Sequence, residues 1–195
     1  AKMALGLGAD VTVIEKSPGR MRYLDDLFQG RIRTLASNSY HIKQAVSRAD
    51  LVIGAVLIPG ARAPRVVSEE MVKGMKKGAV IVDVAVDQGG SIATIDRSTT
   101  HDDPIYVKHG VTHYAVANIP GAVPRTSTLA LMNVTLPYVM ELAGKGFERA
   151  VSENAALWKG VNTFQGKVTH SEVARSLDLP CTPLEQLMGP SPVVG

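Results

Sequence analysis

The chain has 195 residues, 45% of them hydrophobic and 20% charged, enough apolar material for a packed core and too much for a disordered tail or a collagen-like rod. At roughly 100–200 residues per domain this is one domain or slightly more. The net charge of +3 is small and dispersed, so it argues against nucleic acid or a membrane surface as partner, and no apolar run reaches the roughly 18–20 residues of a membrane span.

Taken in chain order, Ala1 to Gly8 reads as the last turns of a helix with Gly8 as its C-terminal cap. Val11 to Ile14 reads as a short strand that ends on Glu15. Helix, tight turn, strand and terminal acid form the second half of a Rossmann βαβ unit, in which an acid about 20 residues after a glycine-rich turn bonds the adenosine ribose. Counting back from Glu15 puts that turn before residue 1. The expected fold is therefore α/β: a Rossmann-type, doubly wound parallel sheet lacking its first strand, followed by C-terminal helices of a second domain. Loss of that central strand would leave two unpaired inner edges.

The alternation continues with a helix over Arg20 to Phe28, a strand over Arg31 to Leu35 and a helix over Ser39 to Arg48 with Ser39 as N-cap. Leu51 to Val56 is the next strand, then a helix opened by Ser68 and stopped by Lys77-Gly78. Strands over Ala79 to Val84 and His113 to Ala117 complete a parallel sheet covered on both faces. From Thr126 the spacing changes. Leu129, Met132, Leu136, Val139 and Ala143, three and four apart, predict one long helix capped by Thr126 or Ser127, with Pro137 inside it and Lys145-Gly146 ending it. Phe147 to Leu157 and Ser171 to Leu177 are shorter helices, no strand is expected after residue 118, and the tail from Pro180 is irregular. The expected division is residues 1–124 as a partial dinucleotide-binding domain and 125–195 as a helical segment packing on a catalytic domain.

Ligands of open α/β sheets bind beyond the carboxyl ends of the strands. Glu15 stands at one such end, where an acid favours NAD by repelling the 2′-phosphate of NADP; a solvated strand-end acid is the alternative reading. After Val56, the turn Leu57-Ile58-Pro59-Gly60-Ala61 would let backbone approach a ribose or nicotinamide, or is a plain strand-to-helix turn. Val84-Ala85-Val86-Asp87 reads as an apolar strand delivering an acid onto Gly89-Gly90, which suits Asp87 to proton handling or to binding an amine. A turn acid is the other reading of Asp87, whereas Asp83 is read as structural. Asn118 ends the last strand and either offers its amide to a ligand or serves the turn. The histidines His41, His101, His109, His113 and His170 lack metal-ligand spacing and are read as loop residues facing water, so no metal site is expected. Asn133-Val134-Thr135 matches a glycosylation sequon but falls inside the predicted long helix. Cys181, the one cysteine, excludes an internal disulfide and fits a reducing, cytoplasmic compartment.

The segments Leu51 to Ala61 with Ala63-Pro64, Val82-Asp83-Val84-Ala85-Val86-Asp87-Gln88-Gly89-Gly90, and Val116 to Thr128 together resemble bacterial alanine dehydrogenase. The NAD-binding subunit of proton-translocating transhydrogenase is a relative in the same superfamily. Trp158-Lys159-Gly160-Val161-Asn162-Thr163 with Thr169-His170 is similar to alanine dehydrogenase and argues against that second reading. The resemblance implies NAD-dependent, reversible deamination of L-alanine to pyruvate and ammonia in a homohexamer. It implies that Glu15, in place of the family's usual Asp, holds the adenosine ribose. On the same resemblance Arg20 and Ser37 would line the adenine end, and Val56, Leu57 and Val84 would contact the cofactor. The resemblance also implies that Asn118 and Ile119 lie near the nicotinamide and that Asp87 is the catalytic aspartate. Ile119 is often Met in relatives, and Ser91 replaces a frequent Cys, a change expected to be neutral. The family's catalytic lysine and histidine and its substrate-binding arginine would lie before residue 1. A reading of another class is a stand-alone binding or assembly module without activity.

Overall fold

A computed structural model of the chain describes residues 1–192. Helix α1 (Lys2–Gly6) is closed by Gly8 at φ +84, with Ala9 N donating to the Ala4 carbonyl and Gly8 N to that of Leu5, the two bonds of a Schellman end. Strand β1 (Thr12–Glu15) leads into α2 (Pro18–Phe28), whose start is set by Pro18 at the first helical position and by Ser17 Oγ, which accepts from Arg20 N. Strand β2 (Arg33–Ala36) precedes α3 (Ser39–Arg48). The cap of α3 is Asn38, not the expected Ser39: Asn38 Oδ1 accepts from His41 N at 2.8 Å.

Strand β3 (Leu51–Gly54) is two residues shorter than its apolar run. Helix α4 (Glu69–Lys73) has Ser68 as cap, as expected, but ends at Gly74 rather than at Lys77-Gly78. Strand β4 (Val80–Asp83) is followed by a hairpin of β5 (Ile105–Lys108) and β6 (Val111–Tyr114). β1 pairs with β2 in parallel, and a separate sheet has the order β3-β4-β6-β5. Parallel strands joined by helices, as in β1-α2-β2 and β3-α4-β4, are the units of a doubly wound α/β fold. β5, antiparallel to β6, corrects the expected all-parallel sheet. Leu51 and Ile53 of β3 are 51% and 56% exposed, so among the described residues that face is uncovered, a second correction.

The chain divides into two units, Ala1–Val56 with Pro64–Ala117, and Leu57–Ala63 with Asn118 onward. The first has a core of Ile42 and Val46 from α3, Val72 from α4, Ile81 from β4 and Val111 from β6, with Ile14 of β1 packed against it. The buried histidine of this unit is His113, which corrects its reading as a loop residue in water. Its Nδ1 lies 2.9 Å from the Val111 carbonyl and its Nε2 2.7 Å from Thr94 Oγ1. A carbonyl only accepts, so Nδ1 carries the proton and Nε2 accepts from the threonine hydroxyl. Tyr106 stacks on the ring.

In the second unit, α5 (Pro124–Lys145) starts at Pro124, with no side-chain cap from Thr126 or Ser127, and contains Pro137. Ser127 Oγ donates instead to the Pro120 carbonyl. No residue of α5 is buried. The expected helix over 147–157 is two, α6 (Phe147–Glu153) and α7 (Ala155–Gly160), because Asn154 breaks the first and caps the second through Oδ1. β7 (Thr163–Phe164) and β8 (Lys167–Val168) form a small hairpin, against the expectation of no strand after residue 118. α8 (Ser171–Leu177) matches its predicted span, and α9 (Glu185–Met188) lies in the tail read as irregular. Val151, Trp158 and Leu184 form the core of this unit.

Burial holds the His113 pKa below its usual 6.5, chiefly by desolvation of the charged ring. The unfolded chain therefore takes up this proton first as pH falls, and stability present above about 6.5 declines as pH drops below it. Melting temperatures recorded from pH 7.5 to 5 should show that decline, and His113→Gln should flatten it relative to the unsubstituted protein.

Candidate functional site

Because β1 and β2 are parallel, as are β3, β4 and β6, their carboxyl ends point the same way within each sheet. Glu15 pairs with Ala36 at one edge, and Ser37 N donates to the Glu15 carbonyl at 2.9 Å, so Glu15 and Ser37 are neighbours. The half-buried Glu15 side chain bends over the turn that opens α2: Oε1 accepts from Lys16 N at 2.6 Å and from Ser17 N at 2.9 Å. Arg20, exposed on α2, lays its guanidinium over the Tyr23 ring, 4.6 Å from its centre.

At the other edge Gly54 pairs with Asp83, and Val84 N donates to the Gly54 carbonyl, which brings the ends of β3 and β4 together below Val56 and Val84. Asp83 is fully buried. Its Oδ1 accepts from Ala85 N at 3.0 Å and Ser91 Oγ at 3.2 Å, and its Oδ2 from Ser91 N at 2.7 Å and Ile92 N at 3.2 Å. One carboxylate thus closes the neck of the loop 84–91. Gly54 permits this, since a Cβ there would collide with Ser91 Oγ and stand 3.0 Å from Asp83 Oδ1. Ser91, fully buried, is therefore engaged through its hydroxyl.

Asp87 does not end a strand, as the sequence suggested: β4 stops at Asp83, and Asp87 is exposed in the 3₁₀ turn Val86–Gln88. Gly90 N and Gln88 N both donate to the Ala85 carbonyl, and Gly89 and Gly90, at φ +93 and +76, turn the chain back to Ser91. Asp87 makes no hydrogen bond or ion pair among the described residues. Next to it Gln88 Oε1 is buried without a hydrogen-bond partner among the described residues. In the sequence the only signal for Gln88 is its place between an acid and two glycines.

Leu57, Asn118 and Ile119 belong to the second unit. Leu57 is 63% exposed. Asn118 Oδ1 accepts from Gly121 N at 3.2 Å, capping the 3₁₀ turn Ile119–Ala122, so its side-chain carbonyl serves the turn.

A dinucleotide needs a hydrogen-bond acceptor for a ribose, apolar walls and polar atoms at its reactive end. Within the first unit, Glu15 held at a strand end, the exposed Val84 and the unpaired Gln88 oxygen beside Asp87 fit those needs. Among the described residues no cluster of His, Cys, Asp and Glu has the arrangement of a metal centre, and no helix is long and apolar enough to cross a membrane.

Residues 1–171 match the family described as alanine dehydrogenase/PNT, C-terminal domain. The chain is 61% identical over 188 residues to alanine dehydrogenase of Methanococcus maripaludis and 57% over 186 to that of Lysinibacillus sphaericus, matches that cover 96% and 95% of this chain and 50% of each relative. It therefore spans about half the length of the curated relatives it matches. A solved L-alanine dehydrogenase superposes with a TM-score of 0.77 at 48% identity, over 91% of this chain and 48% of that one. A solved transhydrogenase from Sinorhizobium meliloti gives 0.61 at 27% identity, over 86% and 44%.

Replacing Asp83 by Asn keeps the shape but leaves an oxygen on only one side, so an amide N–H₂ must face backbone N–H groups that the carboxylate had satisfied. Loss of charge-assisted bonds at a buried site should cost about 1–3 kcal/mol. Urea unfolding of Asp83→Asn should show that drop, and Ser91→Ala a smaller one.

Proposed function

Because the chain belongs to the alanine dehydrogenase/PNT C-terminal-domain family, we propose that it forms most of the NAD-binding domain of an NAD-dependent alanine dehydrogenase. The reaction is L-alanine, water and NAD⁺ to pyruvate, ammonium, NADH and a proton, and it is reversible. The identity of 61% across nearly the whole chain carries this reading. Likeness to the transhydrogenase is weaker in both identity and superposition, so that alternative ranks second. Residues 125–195 would pack on a catalytic domain. The enzyme would be a cytoplasmic homohexamer, an assembly that would cover the outward-facing apolar side chains of α5.

Glu15 would accept hydrogen bonds from the adenosine ribose hydroxyls, its carboxylate oriented by the N–H groups of Lys16 and Ser17. Arg20 and Ser37 would line the adenine end; Val56 and Leu57 would meet the cofactor through backbone and Val84 would also contact it, with Asn118 and Ile119 near the nicotinamide. When bound, the nicotinamide accepts the two electrons removed from the substrate. The residue that acts on the substrate is Asp87. Oxidation turns the alanine amine into a protonated imine, and water then adds to the imine carbon. A carboxylate on a self-bonded turn stabilises that cation and takes the proton of the attacking water. Gln88 Oε1, as an acceptor, can only receive N–H or O–H groups there.

Asp87→Asn keeps shape and removes charge and basicity. In the intact enzyme it should lower kcat for alanine oxidation by about 10²–10⁴-fold, the usual range for a positioned proton-transfer group, with a far smaller change in NAD affinity. A near-normal kcat with lost stability would make Asp87 a turn residue only.

Glu15→Ser removes the charge that repels a 2′-phosphate. The ratio of kcat/KM with NAD to that with NADP should shrink as NAD binding weakens; an unchanged ratio would assign the preference to another residue.

A further inference from the structure

The loop that leaves β3, Leu57–Ala63, groups with the second unit and not with the unit of its own strand. Its first four residues, Leu57, Ile58, Pro59 and Gly60, are all exposed, and the buried side chain of the loop is Ala63 at its far end. What holds it lies under its backbone. Ala61 N donates to the Ile58 carbonyl, closing a turn about Pro59 and Gly60. Gly60 has φ +76, and a Cβ built on it would stand 2.8 Å from Cε1 and 3.0 Å from Nδ1 of His170, with Val173 Cγ2 at 3.2 Å. Ser176 Oγ donates to the Gly60 carbonyl at 3.4 Å, across 116 residues of sequence. Residues 170, 173 and 176, three apart on one face of α8, thus support a single turn. His170 also caps α8, its Nδ1 accepting from Val173 N at 3.5 Å, in the orientation in which the ring meets Gly60.

We propose that His170 is a positioning residue for the cofactor: with Ser176 it sets the backbone of the Leu57–Gly60 turn in the geometry that receives the dinucleotide. The proposal rests on the reading of Leu57 as a backbone contact. Backbone contacts depend on main-chain position and not on side-chain identity, and an exposed turn without a buried side chain takes that position from its support. Gly60 is required because any side chain there would occupy the place of the ring.

The test separates support from capping. Asn is a good helix cap but lacks the ring, so His170→Asn keeps α8 and removes the floor under Gly60. In the intact protein, titration calorimetry should show the Kd for NAD raised by about tenfold, the cost of ordering a turn no longer preorganised. The KM for NAD should rise in parallel, while the KM for alanine, kcat at saturating NAD and the melting temperature stay near their original values. Trypsin should cut faster after Arg62, which lies in the same loop. Ser176→Ala, which removes only the hydrogen bond, should move NAD affinity and cleavage in the same direction by less. If both variants bind NAD as tightly as the unsubstituted protein, the positioning role is wrong while the functional reading stands. Faster cleavage with unchanged NAD affinity overturns it equally. If the unsubstituted protein binds no NAD, the functional reading fails and the proposal falls with it.

Discussion

The Asp83 carboxylate closes the loop 84–91 at its neck, and the geometry around Asp87 depends on it. A carboxylate carried into a protein interior loses its hydration, a cost that only several well-placed donors offset. Here four donors do so, three of them backbone N–H groups from Ala85, Ser91 and Ile92. The same bonds satisfy N–H groups that would otherwise be buried without partners where β4 ends. Ser91 extends the tie outward, because its carbonyl accepts from Val66 N and Val67 N. The glycines follow from the same constraint: Gly54 leaves room for the Ser91 hydroxyl, and a side chain on Gly90 would press on Asp83 Oδ2. A change at Asp83 therefore acts on the core and on the turn that presents Asp87.

Much of this architecture is legible in the sequence because helix caps and β-branched runs are local signals. Ser68, Gly8 and Gly146 mark helix ends where expected, and the 171–177 helix has its predicted bounds. The errors have physical sources. Apolar runs overstate strand length, since Leu51 to Val56 contributes only four residues to the ladder and the rest leave it at the carboxyl edge. Asn38 outcompetes Ser39 as a cap because its side chain reaches His41 N from the extended residue before the helix. The β5-β6 and β7-β8 hairpins each turn through a residue followed by glycine, both at positive φ: His109-Gly110 and Gln165-Gly166. That pair is a hairpin turn signal even without Asn or Asp in first place. Asp83 was legible as structural, but its partners eight and nine residues on were not, because no periodicity reports a side chain that folds back over a loop.

Grouping into units is less legible still. Val56 and Leu57 are adjacent in sequence and fall in different units, and a sequence gives no sign that a turn after a strand is supported by a helix over a hundred residues later. Helix α5 shows the converse limit. Its spacing predicts a helix correctly, yet the apolar residues do not mark one inward face: Leu131, Val134 and Met140 are each more than 60% exposed. A helix gains most of its stability from packing an apolar face, so one that is apolar all round is suited to contacts on several sides.

Two strand-end acids, Glu15 and Asp83, and a third, Asp87, on the turn beyond β4 stand in three different environments. Asp83 has both oxygens occupied by donors from its own unit and no surface open to a ligand. Glu15 is intermediate: half-buried, with Oε1 taking two N–H groups of the next turn, it is oriented without being enclosed, which suits binding hydroxyls more than moving protons. Asp87 is exposed, with no hydrogen bond or ion pair among the described residues, on a turn whose own backbone bonds fix it. A general base must keep its lone pairs for the reacting proton, so a carboxylate already saturated by its fold is disqualified and one left unsaturated on a fixed support qualifies. By that criterion the proposed proton-handling role falls, of the three, to Asp87, and Asp83, four residues before it, closes the loop that carries it.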